Sequence, residues 1–333
     1  MTEDVPTTEG GLPPEVALAM KLEGIFMPRA RAQRDELFEK SKRFVHYTSA
    51  ENALKIIRTK RLWMRSTVCM SDYREVQHGY DMLFSFFSNR AKNETFTAAL
   101  DLSHPGAATE ALKLFDQWWA HIRFNTYVSS ISEHEDSEDL HGRLSMWRAF
   151  GGTLPKVAVV FRTPRYSGGA QQLNIMFSPV AYMNEQAVHA TINEIIENIK
   201  TSVDFLSTLD RQIIIANVFA TLLGGVTCVK HEGFHEEREW RAIYTPKRAQ
   251  SPLMIPSTEV IGGVPQIIYQ MPLDSEVSPT LADIDLAKMF DRLIVGPSPY
   301  PWVMYEAFVD ALTKMGISDA VNRVYVSGIP LRS

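Results

Sequence analysis

The chain has 333 residues, of which 45% are apolar and 10% aromatic, enough to bury a sizeable core in one elaborated domain or two. Its net charge of -5 gives no general attraction to nucleic acid or anionic lipid, which makes generic nucleic-acid binding a poor first expectation. Two cysteines, Cys69 and Cys228, stand far apart without metal-ligand spacing, and no run of 18 apolar residues occurs, so the sequence predicts a cytoplasmic protein without a membrane span or export signal.

In chain order, residues 1–13 read as a disordered lead, and a helical extension over 15–42 is split by Pro28. Residues 1–42 are therefore predicted to be an N-terminal addition, with one α+β domain over 43–333. That domain opens on the strand Arg43-Phe44-Val45-His46-Tyr47-Thr48, followed by Ser49, which can cap a helix carrying Ala53, Leu54 and Ile57. A second strand, Leu62-Trp63-Met64, leads past Arg65 into a polar loop with Ser71-Asp72. Residues 75–92 form a helix on which Tyr80, Phe84 and Phe87 recur at helical spacing as a core stripe, and 107–124 form another.

A strand is predicted over 125–132, and the acidic run 133–142 is expected to be exposed. Met146-Trp147-Arg148 begins a short turn that Gly151-Gly152 ends, ahead of the buried strand 157–161. Strands over 173–182, long helices over 185–206 and 209–223, and a helix stop at Gly224-Gly225 follow. The remainder reads as a strand pair over 259–273, a short helix over 281–289, a strand at 293–295, a helix over 302–315 and a last strand at 324–326. No regular βαβ rhythm appears, so the expectation is an α+β fold with mixed and antiparallel strands around a central cleft and helices packed outside.

The segment 234–244, Phe-His-Glu-Glu-Arg-Glu-Trp-Arg-Ala-Ile-Tyr, concentrates the chemistry. Strand alternation would place Glu237, Glu239 and Arg241 on one face, with the two carboxylates roughly 7 Å apart. Such a group can orient a hydroxyl and stabilise positive charge, or it can be an edge strand whose charges deter pairing. The signatures G-x-G-x-x-G, G-x-x-x-x-G-K-[ST], H-E-x-x-H and G-x-S-x-G are all absent from the sequence. His231 and His235 stand four apart beside acids, a spacing met more often in solvated loops than in metal sites.

The order of F-V-H-Y-T-S, R-L-W, M-W-R-A-F-G-G, F-H-E-E-R-E-W-R and V-S-G-I-P-L-R over residues 44–332 resembles a widespread bacterial family of unknown function. The same pieces more distantly resemble the NAD-dependent mono-ADP-ribosyltransferases, whose early strand carries H-x-T and whose late strand carries E-x-E. The resemblance implies that His46 and Thr48 hold the nucleotide, that Glu239 is the catalytic carboxylate, and that Glu237 orients the acceptor. An aromatic ring to stack on nicotinamide and an arginine for the diphosphate are also implied, with Tyr47 and Arg65, or Trp147 and Arg148, as candidates. The expected activity is NAD-dependent ADP-ribosyl transfer or NAD hydrolysis, as in a toxin or phage-defence effector. The acceptor would be a protein, a nucleic acid or a small molecule. The alternative from another class is a non-catalytic module that binds a nucleotide or a protein in bacterial stress or defence.

Overall fold

The computed structural model describes residues 13–69, 74–149, 154–164 and 167–330. The lead before Pro13, the loop at Ser71-Asp72, the glycine stop at Gly151-Gly152 and the closing Leu331-Arg332 lie outside these residues. Twelve strands are present among those described: β1 Arg43–Ser49, β2 Arg61–Ser66, β3 Tyr127–His134, β4 Lys156–Phe161, β5 Ile175–Pro179, β6 Ala181–Tyr182, β7 Val229–Lys230, β8 Glu239–Tyr244, β9 Ile255–Ile261, β10 Val264–Pro272, β11 Phe290–Val295 and β12 Val324–Val326. The protein is a mixed α/β structure with an open mixed sheet. It divides into two compact units, the first from Met1–Glu36, Ser71–Phe124 and Pro179–Phe234, the second from Leu37–Met70, Asn125–Ser178 and His235–Ser333.

The first unit is helical apart from β6 and β7, which pair in parallel. Pro28 separates the helices Pro14–Phe26 and Pro28–Glu39, as its missing N–H and fixed φ predict. The expected helix over 75–92 is two helices, Arg74–Phe87 and Arg90–Asp101, because the Asn89 side chain accepts the Lys92 N–H and starts the second. Its buried face is also one step round from the predicted stripe. Val76, Leu83 and Phe86 are buried, whereas Phe84 is exposed and Tyr80 stacks on Trp119 instead. Gly224-Gly225 does not end a helix. Both glycines lie inside Arg211–Thr227, where Gly225 has the Leu83 side chain so close that a Cβ would meet it at 2.9 Å.

The second unit is built on the main sheet, in the order β12-β11-β4-β1-β3-β2-β10-β9, with β8 against both β3 and β5. On one face Phe44, Trp240 and Phe177 pack edge to face or tilted, and Val157, Val159, Leu293 and Val295 lie under the helices Ala50–Thr59 and Pro301–Met315. Ser49 caps the first of these helices by accepting the Asn52 N–H at 3.2 Å, the strand-to-helix junction its sequence announces. On the other face Val45, Tyr47, Met146, Trp147, Ala158, Val160 and Ile294 form a second core. The acidic run 133–142 is not a free surface. Glu133 and His134 belong to β3, His134 is fully buried, and Asp136, Asp139 and Asp291 all bind the buried Arg43 guanidinium at 2.6 Å.

Candidate functional site

Strand β3 has three neighbours, and this creates a fork in the sheet. It pairs with β1 over Ser132–His134, with β2 over Tyr127–Val128, and on its other edge with β8 from Tyr127 to Ser132. Between the two prongs, Ser129, Ser130 and Ile131 have no ladder partner on the β1/β2 side. The His46 ring fills part of that gap, with Nδ1 3.0 Å from the Ser130 carbonyl oxygen, and burial holds its pKa below the ordinary 6.5. The neutral imidazole that results donates from Nδ1 to the carbonyl.

The register settles which side chains meet. Trp240 packs on Phe44, so alternation puts His46 and Thr48 on the Phe44 face. Glu239 and Arg241, paired with Ser132 and Ser130, point to the reverse face with Tyr47. The sequence-based expectation that His46, Thr48 and Glu239 line one cleft is corrected accordingly: they sit in one group of neighbouring strands but on opposite faces of it. Arg65, opposite Val128 on β2, does share the face of Ser130, Arg241 and Glu239.

That shared face is polar and largely closed to water. Glu239 is 6% and Arg241 3% exposed, and Arg241 Nε and Nη2 donate to Oε1 at 2.8 Å and Oε2 at 3.0 Å. One guanidinium thus grips both oxygens of the carboxylate in a bidentate pair that fixes its orientation. In the register Ser130 stands opposite Arg241, and its buried hydroxyl has no partner among the described residues. Arg65 donates to Gln266 Oε1 at 3.1 Å and to the Cys69 carbonyl at 2.7 Å, with no carboxylate among its described partners. Desolvation lowers its pKa, yet a guanidinium remains charged at neutral pH.

Glu237 is not on the strand. It ends the short helical turn Glu232–Glu237, and Arg238 follows at φ 43, a left-handed turn that breaks the alternation assumed from sequence. The turn is held by Arg143, whose guanidinium donates to the carbonyls of Glu133 at 2.7 Å, Glu236 at 2.9 Å and Glu237 at 3.2 Å while binding the Glu138 carboxylate at 2.7 Å. No sequence motif marks this arginine. Its role is set by one carboxylate and three main-chain carbonyls, 5 to 94 positions away.

Trp147 and Arg148 part company. Trp147 is buried, meets Tyr47 edge to face at 4.9 Å, and donates from Nε1 to the His141 carbonyl at 2.8 Å. Gly142, at φ +66, and Gly296 make room for the indole, since a Cβ on either would come within 2.8 Å of it. Trp147 is therefore a packing anchor and not a surface for stacking a ligand, while Arg148 is exposed to solvent. Tyr47 is likewise committed: its hydroxyl accepts the Arg143 backbone N–H at 2.7 Å, and burial pushes its pKa up to about 12.

Among the described residues no group of three metal-ligating side chains occurs, and no helix is long and apolar enough to cross a membrane. No curated protein and no solved structure matches the chain. Residues 146–242, which run from the Trp147 turn through Glu239 and Arg241 on β8, match the family described as Protein of unknown function (DUF2971).

Proposed function

We propose that the chain is an NAD-consuming enzyme, an ADP-ribosyltransferase or NAD glycohydrolase, with Glu239 as its essential carboxylate. The observation that carries this reading is the polar face on which β8, β3 and β2 place Glu239, Ser130 and Arg65 in succession. Breaking the bond between nicotinamide and ribose sends its electron pair to nicotinamide and leaves an oxocarbenium-like sugar. A fixed, desolvated carboxylate stabilises such a charge far better than water does. Arg241 orients Glu239, Arg65 supplies the cation for the diphosphate, and the Ser130 hydroxyl is available for a ribose hydroxyl. Glu237, on the turn just before the strand, is the residue proposed to orient the incoming acceptor. In hydrolysis the acceptor is water; in transfer it is a protein side chain, a nucleic-acid base or a small molecule.

A second reading, a nucleotide- or protein-binding module without catalysis, is favoured by one feature: both Glu239 oxygens are already bonded to Arg241. Incubation with NAD separates the two. Release of free nicotinamide by the wild type, reduced by roughly a hundredfold or more in Glu239→Gln, supports the enzyme. NAD binding without release, in the presence of cell lysate as a source of acceptors, supports the module.

A further inference from the structure

A cavity of about 440 Å³ opens at the far end of β4 and β11, and its wall includes Arg162, Lys288, Asp291, Arg292, Arg323 and Tyr325. Four cations thus face one carboxylate. Asp291 is turned to internal use, since it binds the buried Arg43 at 2.6 Å and Arg292 at 3.0 Å. Arg292 also holds Asp139 at 2.8 Å, and Arg323 is paired with Asp319 at 2.8 Å. The remaining two cations are barely committed. Arg162 reaches Asp291 at 3.5 Å with its side chain 65% exposed, and among the described residues the exposed Lys288 ammonium has only the Ala282 carbonyl, at 3.4 Å.

We propose that this cavity binds a small ligand carrying two or more phosphate groups. A volume of about 440 Å³ lies in the range of ligand pockets. Phosphate oxygens are matched by guanidinium forks and by an ammonium that need not break a strong pair to reach them. Arg43 and Arg292 fix Asp291 in the wall, leaving Arg162 and Lys288 as the exposed, weakly paired cations. Tyr325, beside Arg292 at 5.2 Å, offers a ring edge to a nucleoside if one is attached. This inference stands apart from the NAD reading, whose residues lie at the fork of the sheet.

The test is isothermal titration of the full chain with pyrophosphate and with ADP at constant ionic strength. Arg162→Ala/Lys288→Ala is the test variant, made both in the wild type and in an Arg65→Ala chain so that diphosphate binding at the fork drops out of the comparison, and Lys314→Ala, an exposed lysine outside the cavity wall, is the surface control. Both altered side chains of the test variant are exposed, so its melting temperature should match the wild type. The expected result is binding of both probes by the wild type, at least a tenfold loss in the double variant whether or not Arg65 is present, and no change in Lys314→Ala. ADP tighter than pyrophosphate identifies a nucleotide as the ligand class, and equal affinities identify the phosphate chain alone. The proposal is overturned if neither probe binds, if the double variant binds as well as its parent chain, or if Lys314→Ala loses as much.

Discussion

Arg143→Ala should be one of the most destabilising single changes in the second unit. The Arg143 and Glu138 side chains are only 11% and 13% exposed, so removing the guanidinium leaves a nearly buried carboxylate without its cation. Breaking such a pair costs roughly 3–5 kcal/mol, whereas the exposed Glu236 carbonyl regains water at little cost. At about 2–4 °C per kcal/mol for a domain of this size class, the melting temperature should fall by about 6–20 °C. Near-ultraviolet circular dichroism reads the transition through Trp147 and Trp240, the packed indoles on either side of the sheet. Arg143→Lys keeps the charge but not the planar fork, and should recover only part of the loss. A drop under about 3 °C, the ~1 kcal/mol of a solvent-exposed pair, would refute the claim that Arg143 staples the turn ahead of Glu239.

Trp147→Ala should destabilise by roughly 3–5 kcal/mol, as loss of a buried aromatic anchor does, and leave ligand binding in the folded fraction unchanged; denaturant titration paired with a binding assay checks both parts. Gly296→Ala places a methyl 2.8 Å from the indole and should cost about 1–3 kcal/mol, with Trp147→Phe in the same chain relieving some of it; a double-mutant cycle measures the coupling. Burial depresses the pKa of both His46 and His134 below 6.5, the latter facing Asp139, Glu138 and Arg43. A depressed folded-state pKa means the unfolded chain binds the proton first, so stability is full above pH 6.5 and falls as the pH drops below it. His46→Gln should flatten part of that acid slope, and a variant as steep as the wild type between pH 7 and roughly pH 5 would contradict the assignment.

Local chemistry made much of the chain legible. Ser49 before Ala50, Pro28 between two helical runs, and the unbroken apolar run Val157-Ala158-Val159-Val160 each specify their element through a cap, a missing donor or burial on both faces. What sequence could not show was long-range register. Glu237-Arg238-Glu239 reads as strand alternation, but a left-handed Arg238 and the Arg143 clamp detach Glu237 from the strand. The acidic run 133–142 looked solvated because Arg43, its partner, lies about ninety residues away in sequence. The candidate face was half visible. Glu239 and Arg65 stood out by type, while Ser130 is one of several serines in β3 and became distinctive only when the fork left its hydroxyl buried without a described partner.

The most direct measurement is nicotinamide release from NAD by the purified full chain, with and without cell lysate, for wild type and Glu239→Gln, each checked for folding by its melting transition. The proposed function predicts release by the wild type and its loss in a folded Glu239→Gln chain, with Glu237→Gln impairing transfer to an acceptor more than hydrolysis. No release by the wild type under either condition, or undiminished release by a folded Glu239→Gln chain, would contradict it.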